Sequence, residues 1–282
     1  DCFGAHTPFH ADDIMLTIGI GGCGYHGVAA AANLPGSDGV VPLGASQLSG
    51  HLLRISYDQQ GNLQTHIQST RTQVAFMIFP DCNHSTILHM RNSQYLAIIH
   101  QALTVQPRQF ADFCTQLQHR LQAWLADNLD RHFQQTIVHA RNQYQQPIND
   151  YFMHFAALNG QDVYQGQHIH THIVDSVHTN TMVPSYRAFH LDMSILQSPY
   201  ARQINSMGIG LTAYPNVKVD NVNAGYLPCQ GNNDRALRFV MADFQRLFTP
   251  TSLLLIDWQI PRVHSKQLFE IHDVTPQMVC EK

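Results

Sequence analysis

Positive charge is scarce in this chain. Its 282 residues hold 16 lysines and arginines against 20 acids, and only Lys218, Lys266 and Lys282 are lysines. A net charge of −4 leaves no basic footprint for nucleic acid or for an anionic membrane surface. No apolar run reaches the ~18 residues of a membrane span. No C-x-x-C pair occurs among Cys2, Cys23, Cys82, Cys114, Cys229 and Cys280, which excludes a zinc ribbon or a thioredoxin-like motif. P-loop, dinucleotide and G-x-S-x-G signatures are absent, as are internal repeats and low-complexity segments. The chain opens on "DCFGAH" without an initiator methionine and is read as a trimmed or mature product.

Histidine, by contrast, is abundant: its 19 copies outnumber lysine and arginine together. Lineage bias explains this most simply. The sharper reading is a protein that evades lysine-directed tagging, as a toxin delivered into foreign cells would. Hydrophobic residues make up 44% and charged residues 13%, enough to build a sizeable core.

The patterning predicts an α+β fold with a β-sandwich-like N-terminal unit, a helical middle and a mixed C-terminal part. In the first third, "IMLTIGI", "GVVPLG", "LSGHLLRISYD", "LQTHIQS" and "TQVAFMIF" read as strands between Gly, Pro, Asn and Asp turns. "QQGN" joins two of them as a hairpin. After Pro107, Phe110, Phe113, Leu117, Leu121, Trp124, Leu125, Leu129, Phe133 and Ile137 form one apolar stripe on a helix of roughly 30 residues. "NSQYLAIIHQAL" before it and "NDYFMHFAALNG" after it read as shorter helices, the latter capped by Gly160. "VYQGQHIHTHIVD", "AFHLDMSIL", "GIGLTAY", "VKVDNV", "SLLLIDWQI" and "QLFEIHDV" read as strands, and "NDRALRFVMADFQRLF" as a helix. Residues 1–282 are expected to form a single α+β domain with a helical insertion over about 85–160.

Five glycines crowd around Cys23 in "TIGIGGCGYHG". Thr17, six residues before that cysteine, and the glycines between them resemble the T-L-G-L-G-S-C signature of CheD-type glutamine deamidases. The resemblance extends to the cytotoxic necrotising factors and covers about residues 14–55. It implies a nucleophilic Cys23, and "LSGHLL" offers His51 as the partner base. The chemistry needs a thiolate, a base and oxyanion donors. Gly22 and Cys23 would supply the backbone N–H groups, and Thr17 would orient the histidine. His26 competes with His51 but lies on the opposite face if the segment is a strand. The implied function is hydrolysis of a side-chain carboxamide, Gln to Glu, on a protein bearing a reactive glutamine. It requires no cofactor, and it suits a protein secreted by a bacterium and active in host cytosol.

Two alternatives stand beside it. His168, His170 and His172, alternating on one strand face with Asp175 near, would hold a metal for a metal-dependent hydrolase. His6, His10, Asp12 and Asp13 form a second cluster, and His190 with Asp192 an H-x-D pair. Cys2 is a further nucleophile candidate, and Cys114 is read as packed on the long helix. The other alternative is a non-catalytic interaction protein whose long helix docks a partner.

Overall fold

Alternation of apolar and polar side chains builds most of this molecule. The computed structural model describes residues 14–70, 73–159, 162–163, 169–199, 201, 204–215, 224–227 and 237–264. In chain order the first elements are β1 (Leu16–Gly21), α1 (Leu43–Ser46), β2 (Gly50–Tyr57), β3 (Leu63–Ser69) and β4 (Val74–Phe79). Helices α2 (Ser93–Thr104) and α3 (Phe110–Asp127) follow, then β5 (Phe133–Asn142), β6 (Tyr151–Asn159) and β7 (Asp162–Val163). The last part holds α4 (Ile169–Ile173), β8 (Val174–Thr179), β9 (Tyr186–Asp192), β10 (Ser206–Ala213) and β11 (Ala224–Tyr226). It ends with β12 (Leu237–Val240), α5 (Met241–Leu247), β13 (Leu253–Ile260) and β14 (Arg262–His264). The class is α+β, as the sequence predicts.

Two large sheets share one core. The six-stranded sheet has the order β3-β2-β13-β5-β9-β8, and the four-stranded sheet β12-β10-β6-β7. In the first, β13 runs parallel to both β2 and β5, while the other pairs are antiparallel. Every second residue faces inward: Leu53 and Ile55, Val138 and Ala140, Leu254, Ile256, Trp258 and Ile260. Met153, Phe155, Met207, Ile209, Leu211 and Phe239 of the opposite sheet meet them. Burial of apolar area at about 25 cal/mol per Å² makes this the main stabilising contact.

A smaller layer sits apart from that core. β1 and β4 pair in parallel, Leu16 opposite Val74 through Gly21 opposite Phe79. One stripe of α3, Phe110, Phe113, Leu117, Leu121 and Leu125, is buried and packs on them and on the half-buried face of α2. No helix among the described residues is long and apolar enough to cross a membrane.

Several expected elements change identity. The long helix ends at Asp127, where the Asn128 side chain donates to the Trp124 carbonyl at 2.7 Å and the Asn128 N–H to Leu125. Phe133 and Ile137 therefore belong to a strand. "NDYFMHFAAL" is strand β6, because Tyr151, Met153, Phe155 and Ala157 alternate inward. The helical stretch expected over about 85–160 is helical only through Asp127. "GVVPLG" forms a turn closed by a Ser37–Pro42 bridge, followed by α1. "ALRFV" contributes β12 before the helix starts at Met241. "HIHTHIV" is helical over Ile169–Ile173, with Ile169 and Ile173 buried one turn apart. "VKVDNV", "QLFEIHDV" and Gly160 lie outside the described residues.

Candidate active site

β1 and β4 run parallel, so their C-terminal ends lie together. The two strands approach unusually closely there. The Gly22 N–H donates to the Phe79 carbonyl at 2.9 Å and the Cys23 N–H to the Cys82 carbonyl at 3.0 Å. A Cβ on Gly21 would stand 2.4 Å from the Cys82 carbonyl oxygen, and one on Gly22 2.8 Å from the Pro80 Cα. Close packing of the two strand ends thus accounts for the glycines before Cys23.

Each strand end leads into a loop, and the loops meet at Asp38 and His84. His84 Nδ1 lies 3.0 Å from Asp38 Oδ2. The Asp38 side chain is 3% exposed and that of His84 48%. A buried carboxylate is tolerable only when its oxygens are paired. Here Oδ1 accepts the N–H groups of Val40 at 3.1 Å and Val41 at 2.8 Å, while Oδ2 faces the imidazole. The backbones are tied as well, the His84 N–H donating to the Asp38 carbonyl at 2.8 Å. Gly36 (φ +59°) and Gly39 (φ +106°) let the chain turn sharply on both sides of Ser37 and Asp38. Asn83 fixes the other loop: its Oδ1 accepts the N–H groups of Ser85 and Thr86.

This arrangement has a defined chemical capacity. A carboxylate on Nδ1 holds the neutral ring as the Nδ1–H tautomer, leaving the Nε2 lone pair free to take a proton. Among the described residues no side chain bonds Nε2. The adjacent Ser85 hydroxyl instead pairs with the Tyr25 hydroxyl at 3.2 Å.

The residues singled out from sequence do not converge. Thr17 sits half-buried within β1, opposite Ala75, with the strand extended from it to Gly21. Cys23 is half-buried, and burial pushes its thiol up; Arg131 opposes this, while Asp81 and Asp38 reinforce it. That is the wrong direction for a thiolate nucleophile. The N–H groups of Gly22 and Cys23, expected to hold an oxyanion, are spent on β4 and its turn. His51 lies on β2 in the six-stranded sheet, its Nδ1 paired with the Ser69 hydroxyl at 3.0 Å. Burial first, and Arg246 second, push the His51 pKa down. No hydrogen bond joins His51 to Cys23 among the described residues. His26 is exposed at the start of a 3-10 turn.

The metal reading also loses its geometry. His170 and His172 lie two apart on a helix, about 200° around it, and Asp175 is exposed on β8; His168 lies outside the described residues. His6, His10, Asp12, Asp13 and Cys2 lie outside them too. His190 is committed elsewhere: its Nε2–H donates to the Pro35 carbonyl at 2.7 Å and its ring stacks on Phe133. Among the described residues no group of three His, Cys, Asp or Glu side chains could hold a metal ion. Cys114 is half-buried against the α2–α3 core, as expected.

No protein-family model and no curated protein matches the sequence. Among the solved structures that share the architecture are two of one phospholipase. Phospholipase PlaB from Legionella pneumophila in complex with thio-NAD superposes with a TM-score of 0.70 at 16% identity, over 93% of this chain and 61% of that one. Phospholipase PlaB without that ligand gives 0.69 at 17% identity, over 91% and 58%. The chain therefore spans about three fifths of the structures it matches. These likenesses overturn the CheD and necrotising-factor resemblance, and with it the deamidase, the glutamine-bearing protein substrate and the toxin reading. The metal-dependent and non-catalytic alternatives fall with them. The fold is similar to the matched part of these phospholipase structures.

Proposed function

We propose that the chain carries the acid–base pair of a hydrolase acting on the carboxylic esters of lipids, with His84 as the base and Asp38 as its positioning residue. The observation that carries this is the 3.0 Å bond between a buried, N–H-supported carboxylate and a half-exposed imidazole beyond two parallel strand ends. The likeness to a phospholipase fold supports the choice of a lipid ester. In the acylation step Nε2 of His84 takes the proton of a hydroxyl nucleophile as that oxygen attacks the ester carbonyl. The same proton then passes to the departing alcohol. Water repeats the sequence on the acyl-enzyme and releases the fatty acid. Asp38 keeps its charge throughout and stabilises the imidazolium.

The test is covalent labelling of the full-length protein with a fluorophosphonate, read alongside fatty-acid release from phosphatidylcholine. One labelled hydroxyl, lost in His84→Ala, is expected. A labelled protein whose labelling and hydrolysis survive His84→Ala would remove the assignment.

A further inference from the structure

One loop beside the dyad is apolar, projecting and itself without a charged residue. Residues Gly27–Ala32, "GVAAAA", form a 3-10 turn with no buried residue, and Val28 at its tip is 97% exposed. The loop has a closed neck: the Tyr25 N–H donates to Asn33 Oδ1 at 2.7 Å, and Asn33 Nδ2 donates back to the Tyr25 carbonyl at 2.9 Å. Tyr25 links this neck to both catalytic loops. Its ring lies over Gly39, where a Cβ would approach within 2.8 Å, and its hydroxyl meets Ser85. Around it Leu34 and Val40 are half-exposed, and Leu88, four residues beyond His84, is 82% exposed.

Charge is sparse along the loops that carry these residues, with Asp81, Arg91 and Arg131 at their edges. Between Ile14 and Leu53 the only Asp, Glu, Lys or Arg is Asp38, which is buried, and residues 82–90 contain none. Gly27–Ala32, Leu34, Val40 and Leu88 can themselves enter an apolar phase without desolvating an ion. The turn also satisfies backbone groups internally, the Asn33 N–H donating to the Ala30 carbonyl at 3.1 Å, as a segment leaving water requires. An exposed apolar patch of this kind marks an interaction surface.

We propose that the Gly27–Ala32 loop, with Leu34, Val40 and Leu88, seats on the surface of an uncharged, zwitterionic lipid bilayer and holds the His84 imidazole at the headgroup–acyl boundary. The inference deepens the lipid-ester reading and rests on it for the role of His84. The seating itself is measured separately. Apolar transfer drives it, so it is insensitive to salt and needs no anionic lipid.

The experiment uses the full-length protein with Val28→Trp, titrated with phosphatidylcholine vesicles at low and at high salt. The emission gained over the parent protein, which carries Trp124 and Trp258, is expected to be that of an exposed indole in buffer and to shift to the blue with vesicles at both salt concentrations. Val28→Asp with Leu88→Asp is expected to lower vesicle partitioning by at least about tenfold, given what an aspartate costs in an apolar layer. The thermal unfolding of that variant should match its parent, since both positions are exposed. Three results would overturn the proposal. One is equal partitioning of the double variant. Another is emission from the introduced tryptophan already blue-shifted in buffer, which shows that protein covers the loop. The third is binding confined to anionic vesicles and abolished by salt. Hydrolysis of a soluble short-chain ester by the wild type is measured in parallel. Its absence sinks the hydrolase reading and leaves the vesicle result to decide the surface.

Discussion

Replacing Asp38 by asparagine separates its role in catalysis from its role in folding. Oδ1 of the carboxylate accepts two backbone N–H groups, from Val40 and Val41, and Oδ2 accepts from the imidazole. An asparagine keeps its amide oxygen on the two N–H groups. The opposite flip would set its NH₂ against those donors. The NH₂ must then face His84 Nδ1 and donate to it. That forces the ring proton onto Nε2, where it blocks acceptance of the nucleophile's proton. The expected loss is about 10³–10⁴ in kcat, roughly 4–5.5 kcal/mol of transition-state stabilisation. Folding should change by only about 1 kcal/mol, because the backbone donors stay satisfied. Asp38→Ala is different: it removes the buried acceptor of both N–H groups and of the imidazole and should cost about 3–5 kcal/mol of stability. The assay is steady-state hydrolysis of a chromogenic short-chain ester by the full-length protein, with urea unfolding of each variant. An asparagine variant within tenfold of the wild-type kcat would refute the tautomer argument. So would an alanine variant as stable as the asparagine one.

Gly36→Ala should lower stability by about 1–3 kcal/mol and depress kcat with it, since φ is +59° there and a Cβ would stand 2.5 Å from the Phe133 ring; thermal melting and ester hydrolysis check both. Cys23→Ala should leave hydrolysis unchanged, and Cys23 should react with iodoacetamide at pH 8 more slowly than a free thiol, because burial raises its pKa. His154 is held neutral by burial, and by His170 after it, down to a pKa of about 4. The unfolded chain binds that proton near pH 6.5, so stability contributed by the neutral ring should fall as pH drops from about 6.5 towards 4. The loss should be about 2 kcal/mol after allowance for solvent, and His154→Gln should flatten it, as urea midpoints across that window would show.

Local pattern was readable where a strand stands alone in sequence with turns on both sides. β1 to β4, the hairpin between β2 and β3, and β13 all follow from alternation and turn residues. Errors fall where two periodicities coincide. Phe133 and Ile137 continue the four-residue step of α3, yet the side-chain cap at Asn128 ends the helix and the sheet takes them. In β6 the apolar residues fit a helix face as well as a strand, and only the partner sheet decides. The site failed for a different reason. Asp38 sits between two glycines in "GSDG", and His84 follows a strand in "FPDCNH", but neither is unusual alone. Their meaning depends on β1 and β4 being parallel neighbours across 52 residues of intervening chain, which spacing does not encode. The glycines around Cys23 were a real signal of close approach. They marked the contact between strand ends rather than a nucleophile.

The dyad geometry depends on the sandwich although neither residue belongs to it. Among the described residues β1 and β4 share no ladder with the larger sheets, so the Asp38 loop is positioned by separate attachments. The Pro35 carbonyl accepts from His190 of β9, Gly36 rests on Phe133 of β5, and the Ser37 carbonyl accepts from Arg131 just before β5. The Gly36 carbonyl accepts the Leu43 N–H, and α1 in turn packs its Gly44 against Gln135 and Ser252. The His84 loop is held instead by the β1 layer, where the Cys23 N–H donates to the Cys82 carbonyl, and by the Asp38 loop itself, whose Asp38 carbonyl accepts the His84 N–H. The 3.0 Å bond therefore spans two loops supported by different layers, and a shift of about 1 Å between them would break it. Loosening the β5–β9 pair should thus reduce hydrolysis before it unfolds the chain. On the proposed reading the large sandwich contributes by fixing one carboxylate against a ring carried on a separate pair of strands.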